Sequence, residues 1–520
     1  MYQALLTRKY LTSKVMPLLA MVAVMLSVAT VLITWSIMGG FLKVLLESGR
    51  PLIGDAVVHW PNVGFGHYDD LIDRLEAHPR IEAAAPMIET FGLVQLPNGY
   101  VRDVQIKGVD PQSFNRVTHF TQTLWWRPLD KPTPKDHKRE DPRLDDDGSM
   151  AFYLANAESM TRPDPATGDR KPAAIPGIEL SQMLERTSSG IYLPRYNARP
   201  TPDGDVDIDS IFMPRDGTLG MTLLALDAQG TPVDSITRRI AVANEFQSGV
   251  YEVDSQTVLV PLDWLQPLLH MDEARTIHTE DGKPFDPFAT DLGADGELAP
   301  ATPTTFDVAP ARVTTVLVRG VDDATPNEIK HIIEDEVYPA FAAAHKGEVP
   351  PEYNILVRTW EDLNATLIAS VKKETGLVLF IFGIVCFTTV FLVLAIFWSM
   401  VSEKTKDIGI LRALGASTPG VAWLWLRYGA AIGFVGATLG TLAGYLIVTN
   451  INAIHEWLGA TFGLTIWDAR VYYFTEIPRE VDWHKALIVF LAGVLTCLVG
   501  AAWPAWRAAR MRPVQALRFE

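Results

Sequence analysis

The sequence predicts an α+β multi-pass membrane protein, with four transmembrane helices and a large α+β extracytoplasmic domain inserted between the first and second. Three observations predict it. No charged side chain occurs between Lys14 and Lys43, Glu374 and Glu403, Arg427 and Glu456, or Lys485 and Arg507. Each window is long enough for a bilayer-crossing helix, which needs about 20 apolar residues. Basic residues gather in three short segments that share one side if all four windows cross. The long stretch between the first two windows alternates strand and helix patterns.

The averages hide this layout. The chain has 520 residues, 48% hydrophobic and 20% charged, which would suit a soluble protein. The apolar residues are concentrated at the two ends, and the length exceeds what one core fills. Arg8, Lys9 and Lys14 before the first apolar run resemble the start of a signal peptide. That run extends over 15–38, longer than the usual h-region of about 7–15 residues, and Gly39-Gly40 closes it where a cleavage signal would stand. A retained anchor is expected.

Lys and Arg mark the cytoplasmic side of membrane helices. Arg8, Lys9 and Lys14, then Lys404, Lys406 and Arg412, then Arg507, Arg510, Arg512 and Arg518 form the three basic groups. The expected layout follows: cytoplasmic 1–14, spans at 15–42, 375–401, 418–450 and 485–506, a cytoplasmic helix at 402–417, an outer loop at 451–484 and a cytoplasmic 507–520. The outer domain covers 43–374. Its membrane-proximal part is expected from 44–125 and 310–375, with a distal part, 126–309, inserted. The net charge of −16 falls mainly on this outer domain and argues against nucleic acid as a partner. Cys386 and Cys497 both lie inside spans, so no disulfide is expected outside.

Within the outer domain, 56–60 reads as a strand and 67–78 as an amphipathic helix with Leu71, Ile72 and Leu75 on one face. Strands at 91–96 and 101–109 flank the turn Pro97-Asn98-Gly99. Polar, Pro-rich stretches at 126–148, 162–176, 199–209 and 281–310 read as loops or insertions. A short helix is expected at 177–186, strands at 211–225, 236–245, 257–260, 312–319 and 353–358, and helices at 261–270 and 326–345. The last begins with Thr325 as cap and Pro326 at its first position. From Asp362 a helix is expected to run unbroken into the second span.

The segment 402–417 carries the most information. Helical spacing places Ile408, Leu411 and Ala413 or Leu414 near one face, with Glu403, Lys404 and Asp407 opposite. Gly415 suits the end of that helix, and Thr418-Pro419 the start of the next. A plain interfacial connector is the alternative. Gly436, Gly440 and Gly444, with Gly433 nearby, recur at the spacing that lets membrane helices approach closely. They read as packing positions, with a dimer contact as the sharper alternative. Arg427 is expected to snorkel to the interface.

Sites with chemistry are not evident. Asp203, Asp205, Asp207 and Asp209 alternate, but a calcium loop starting there would need Gly and an acid where Ile208 and Pro214 stand. No H-E-x-x-H, G-x-S-x-G or phosphate-binding G-x-x-x-x-G-K-[ST] occurs. No catalytic, cofactor or metal site is expected on the chain.

The run from Lys404 to Ser417 resembles the cytoplasmic coupling helix of the FtsX/MacB-like ABC permeases. Within them it looks like the lipoprotein-releasing type, LolC and LolE. Phe246–Ser255, Thr359–Asn364, Asp468–Pro478 with Val471-Tyr-Tyr-Phe474, and Pro504–Arg518 support the narrower resemblance. The polar stretches at 126–176 and 281–310 depart from it as extra insertions. The resemblance implies a MacB-like permease architecture and a mechanotransmission transporter in the bacterial inner membrane. Two permease chains, identical or not, would pair with two cytosolic ABC ATPase subunits that hold the ATP and magnesium. It implies that Glu403, Lys404, Lys406, Asp407, Ile408, Gly409, Leu411, Arg412, Leu414 and Gly415 form the ATPase-coupling helix. Ile408, Leu411 and Leu414 would seat in an ATPase groove. Membrane lipid, lipoproteins and a periplasmic lipoprotein carrier are the further partners implied. A signalling module of FtsX type that activates a cell-wall hydrolase is the alternative.

Overall fold

The structure, a computed structural model, describes residues 15–48, 53–61, 63–129, 143, 148–187, 190–195, 197–200, 206–209, 211–226, 232–278, 290–292, 298–300, 305–462, 467 and 476–512. The expected cytoplasmic 1–14, most of the polar stretch 126–148, Asp203, Asp205, much of 281–310, the 468–475 part of the outer loop and the 513–520 tail lie outside the described residues. The chain forms two compact units.

The first unit comprises the described residues of 15–44, 366–467 and 476–512. Its long helices are α1 (Val15–Ser48) near the start, then Ala365–Glu403, Thr418–Thr449 and Trp483–Ala509, all long and apolar enough to cross a membrane. Their shared core includes Val24 and Val28 of α1, Phe397, Ile432, Ala437 and Cys497.

The second unit comprises the described residues of 45–365. It is built on one sheet of ten strands. These are β1 (Ala56–His59), β2 (Ile81–Gln95), β3 (Val101–Val109), β4 (Thr161–Pro163), β5 (Arg170–Pro176), β6 (Thr218–Leu226), β7 (Pro232–Val242), β8 (Thr257–Pro261), β9 (Thr315–Gly320) and β10 (Leu356–Thr359). Starting at β2, the pairings run β2–β3–β8–β5–β7–β6 and return to β2, where Leu223 of β6 faces Gly92. Six strands therefore close into a ring, which removes sheet edges there. β9, β1 and β10 continue from β2 on its other side. β4 pairs with β5.

The separation of a distal part at 126–309 does not extend to the sheet. β4 to β8 all come from that range, yet they join β2 and β3. The reason is the length of β2. Its first half pairs with β9 through Met87↔Thr315 and its last residues with β6 through Val94↔Met221. One 15-residue strand serves both regions.

Period-2 alternation sorts the side chains into two cores. Val58, Ala84, Val316 and Val318 share one with Leu71 and Leu75 of α2 (Tyr68–Glu76), with Ile333 and Phe341, and with Val104, Ile106, Met221 and Val258 from the ring. Val57, Ala83, Ala85 and Leu317 face the other way, onto Phe114 and Val117 of α3 (Pro111–Thr118) and onto Trp360.

Several expectations are corrected. Residues 177–186 form no helix: after one turn closed by the Leu180 N–H on the Gly177 carbonyl, Gln182 takes φ +53°, and Leu184–Arg186 pairs as a strand with Tyr192–Pro194. The polar-looking 162–176 holds β5, whose Ala173, Ala174 and Ile175 are buried. The strand expected over 211–225 opens instead as a helical turn, Met213–Asp216, around Pro214. The helix over 326–345 is capped by Thr325 as expected, but a π-helical turn at Ile333–Val337 divides it into α4 (Pro326–Ile332) and α5 (Tyr338–Ala344). The helix expected to run unbroken from Asp362 is interrupted. Thr359 and Asp362 form a capping box that starts α6 (Trp360–Leu363), and Asn364 leaves helical geometry with its Nδ2 on the Trp360 carbonyl at 3.3 Å. The long helix α7 begins afresh at Ala365 and ends at Glu403.

Glu245 is fully buried, accepting from Trp126 Nε1 at 2.8 Å and Ser181 Oγ at 3.2 Å. Burial pushes its carboxyl up from 4.5 to about 7, although both hydrogen bonds favour the charged form. A folded-state value above the unfolded one adds stability at pH below the unfolded value and loses it as pH climbs through the folded one. Denaturant unfolding at about pH 5 and pH 8 should therefore show falling stability. Glu245→Gln should remove that share of the pH dependence. Identical profiles for the two proteins would refute the assignment.

Candidate functional site

Lys404 is a single non-helical residue (φ −100°, ψ 14°) between α7 and α8 (Thr405–Ala413). The Lys404 ammonium reaches Asp407 at 2.9 Å and closes the first turn of α8. At the other end Gly415 adopts φ +96°, a left-handed conformation that suits glycine, and its N–H meets the Arg412 carbonyl at 3.2 Å. Arg412 Nη1 donates to the Ala416 carbonyl and to Thr418 Oγ1, both at 3.0 Å, and so pins the turn into the next helix. That helix, α9 (Thr418–Thr449), is capped by Ser417, one residue before the expected Thr418, with Pro419 inside its first turn.

Burial divides α8 into two strips. Thr405, Ile408 and Gly409 are buried, and Ile408 packs with Val401, Val421, Ala508 and Ala509. Lys406, Ile410 and Ala413 share the opposite side by helical spacing and are exposed, as is Leu414 just past the end (Ile410 50%, Leu414 81%). Leu411, Asp407 and Arg412 lie half-buried between them, and Glu403 and Gly415 are exposed. The expected apolar face is thereby corrected. Ile408 belongs to the bundle's own core, and the exposed apolar residue is Ile410, which the periodicity overlooked. A nine-residue helix with apolar residues on two sides has no single hydrophobic face to find.

Gly436, Gly440 and Gly444 line α9 where it crosses α1. A methyl group on Gly440 would lie 2.6 Å from the Met25 carbonyl oxygen, and one on Gly436 3.0 Å from that of Met21. Gly444 faces Leu32 and Ala29. On the side toward the last long helix, α11 (Trp483–Ala509; α10 is Ile451–Phe462), Gly433 meets Cys497. These glycines pack helices of one chain.

Tryptophans and arginines pair at the ends of α7, α9 and α11, and apart from Arg427, Arg507 and Arg510 themselves sequence reasoning passed over them. Trp398 stacks on Trp503 with centroids 4.9 Å apart, and Arg507 lies 4.2 Å above Trp398. Arg427 sits over Trp423 at 5.2 Å and Arg510 over Trp506 at 4.2 Å. Indoles with basic partners mark a membrane–water boundary. The signal was available as Trp recurring near the same ends of three apolar windows.

The geometry defines a domain of four long apolar helices with a short helix, α8, held between the second and third. Residues 379–513 match the family described as FtsX-like permease C-terminal, and the chain carries an FtsX-like permease domain there. Among curated relatives, a lipoprotein-releasing system transmembrane protein LolC of Xylella fastidiosa is 31% identical over 165 residues, covering 32% of this chain and 40% of the relative. A LolE of Haemophilus influenzae is 29% identical over 138 residues, covering 26% of this chain and 32% of the relative. The matched stretches thus span well under half of either relative. The periplasmic region of MacB from Actinobacillus actinomycetemcomitans aligns with 62% of this chain and 97% of its own, at 10% identity and a TM-score of 0.24, too low to carry weight.

Adding a methyl at Gly440 should force α1 and α9 apart and cost about 1–3 kcal/mol. Gly383→Ala, where nothing lies within 4 Å, should be neutral or mildly stabilising. Detergent unfolding of Gly440→Ala and Gly383→Ala checks the contrast.

Proposed function

We propose that this chain is the permease subunit of an ABC transporter of mechanotransmission type in the bacterial cytoplasmic membrane. Both termini and α8 lie in the cytoplasm. A separate ATPase pair binds and hydrolyses ATP with magnesium, and a second permease chain completes the assembly. The observation that carries this reading is the division of α8. One strip is fixed to the bundle through Ile408, and the other presents Lys406, Ile410, Ala413 and Leu414 to a partner. A helix free on both sides would absorb a push, whereas one wedged against Val421 and Ala508 hands it on to α7, α9 and α11. Ile410 and Leu414 therefore replace Ile408 as the apolar contacts, with Leu411 at the margin. Glu403 and Lys406 supply charge at the rim.

The names of the relatives support lipoproteins, or another lipophilic cargo, as the substrate taken from the outer leaflet. A periplasmic lipoprotein carrier is the receiving partner in that reading.

Co-purification with the cognate ATPase tests the coupling surface. Ile410→Asp combined with Leu414→Asp should lower ATPase recovery about tenfold or more while leaving the melting temperature nearly unchanged, since charges replace apolar contacts only at the interface. Ile408→Asp should instead destabilise the fold by several kcal/mol, on the order of 3 or more, because it buries a charge. Undiminished ATPase recovery with the double variant would sink the proposed surface.

A further inference from the structure

Two histidine–carboxylate pairs interlock within the second unit. His67 immediately precedes α2, and Asp70 lies three residues on. His345 ends α5, and Glu348 lies three residues on, its N–H returning to the His345 carbonyl at 3.1 Å. The pairs cross over: His67 Nε2 meets Glu348 Oε2 at 2.6 Å, and His345 Nε2 meets Asp70 Oδ2 at 3.0 Å. The imidazoles stack between them, 4.2 Å apart and 15° from parallel.

The surroundings hold these groups in place. His67 adopts φ +58°, a left-handed conformation that costs a non-glycine residue about 1–2 kcal/mol. That geometry turns its ring toward Glu348 and gives it no capping bond to α2. His345 leans on the buried ring of Phe341, centroids 5.1 Å apart. Asp70 is held in turn by Arg74 Nε at 2.7 Å, which keeps its carboxyl below the usual range. A carboxylate that orients a histidine through one ring nitrogen, leaving the other to ligate, is the recurring outer shell of metal-bound histidines.

We propose that His67, His345 and Glu348 bind one divalent transition-metal ion, zinc by preference, with Asp70 orienting His345 from the outer shell. One ligand atom from each of the three residues lies within 4.8 Å of the others. Tetrahedral zinc with bonds of about 2.0–2.1 Å sets ligand atoms about 3.3 Å apart, so small side-chain rotations suffice. Stacked rings aim their lone pairs in parallel, so ligation must tilt one ring out of the stack. The histidine side chains are 27% and 21% exposed and Glu348 is 64% exposed, which leaves room for that turn and for a water in the fourth position. Two imidazoles and a carboxylate suit zinc and disfavour magnesium or calcium, which take oxygen ligands. The ion would fasten α2 to the turn after α5, groups 281 residues apart in the chain. Binding that favours the folded state raises its stability in proportion to the logarithm of free metal.

The test uses the full chain in detergent, purified without a polyhistidine tag and stripped with chelator. Titration with Zn²⁺ and with Co²⁺ should show one equivalent bound. Cobalt should give the visible bands of a four-coordinate site, and zinc should raise the melting temperature of the second unit. His67→Asn, chosen because Asn tolerates the left-handed backbone, and Glu348→Gln on the exposed side should each weaken uptake at least tenfold without unfolding the protein. His78→Gln, which removes the nearby pair of His78 with Glu336 at 3.6 Å, should leave uptake unchanged. No uptake by the wild type, or uptake undiminished in both His67→Asn and Glu348→Gln, overturns the proposal.

Discussion

Close approach of backbones inside the apolar bundle is the constraint on which the permease domain depends. Lipid tails are as apolar as leucine, so helices surrounded by lipid gain little from hiding apolar side chains and must hold by packing. α9 supplies that packing on two sides. Gly436, Gly440 and Gly444 admit the α1 backbone, while Gly429 and Gly433 admit Ala501 and Cys497 of α11. With both flanking helices drawn in, Val421 at the start of α9 and Ala508 at the end of α11 converge. They form the seat that Ile408 fills.

That seat explains why so short a helix as α8 has a defined position. Nine residues rarely form a stable helix alone in water. Here the first turn is closed by Lys404 with Asp407, and the last is closed by Gly415 and by Arg412 across to Thr418. The Trp–Arg pairs at the ends of α7, α9 and α11 add a boundary between apolar and aqueous surroundings. The exposed strip of α8 is therefore presented by a fixed support, which is what the proposed coupling role requires.

Much of this was legible in the residues. Uncharged windows mark spans because charge in a bilayer is expensive, and four long apolar helices occupy them. Turn chemistry located the β2–β3 hairpin at Pro97-Asn98-Gly99, and Thr325-Pro326 located the start of α4. Failures came where partners outside the segment decide. Residues 177–186 carry a helical pattern, yet Leu184–Arg186 is drawn into a strand pair with Tyr192–Pro194. β5 is short and begins with charged residues, so its place within the closed ring depends on β7 and β8. On α8 the helix and its glycine end were readable, but its start was not, because Lys404 breaks it from α7, which still includes Glu403. Which apolar residues point inward was not, because that is set by Val421 and Ala508. The meeting of His67 with His345 was invisible for the same reason.

The two strips of α8 have no residue in common, and this has an evolutionary consequence. Mutations at Lys406, Ile410, Ala413 or Leu414 alter what the helix shows without disturbing what it stands on. Thr405, Ile408 and Gly409 answer instead to neighbours in the same polypeptide. If the proposed coupling holds, drift on the outer strip can therefore track a changing ATPase, while the inner strip evolves at the slower pace of an interior. A duplicated copy could acquire a new companion through a handful of surface exchanges and keep its scaffold intact.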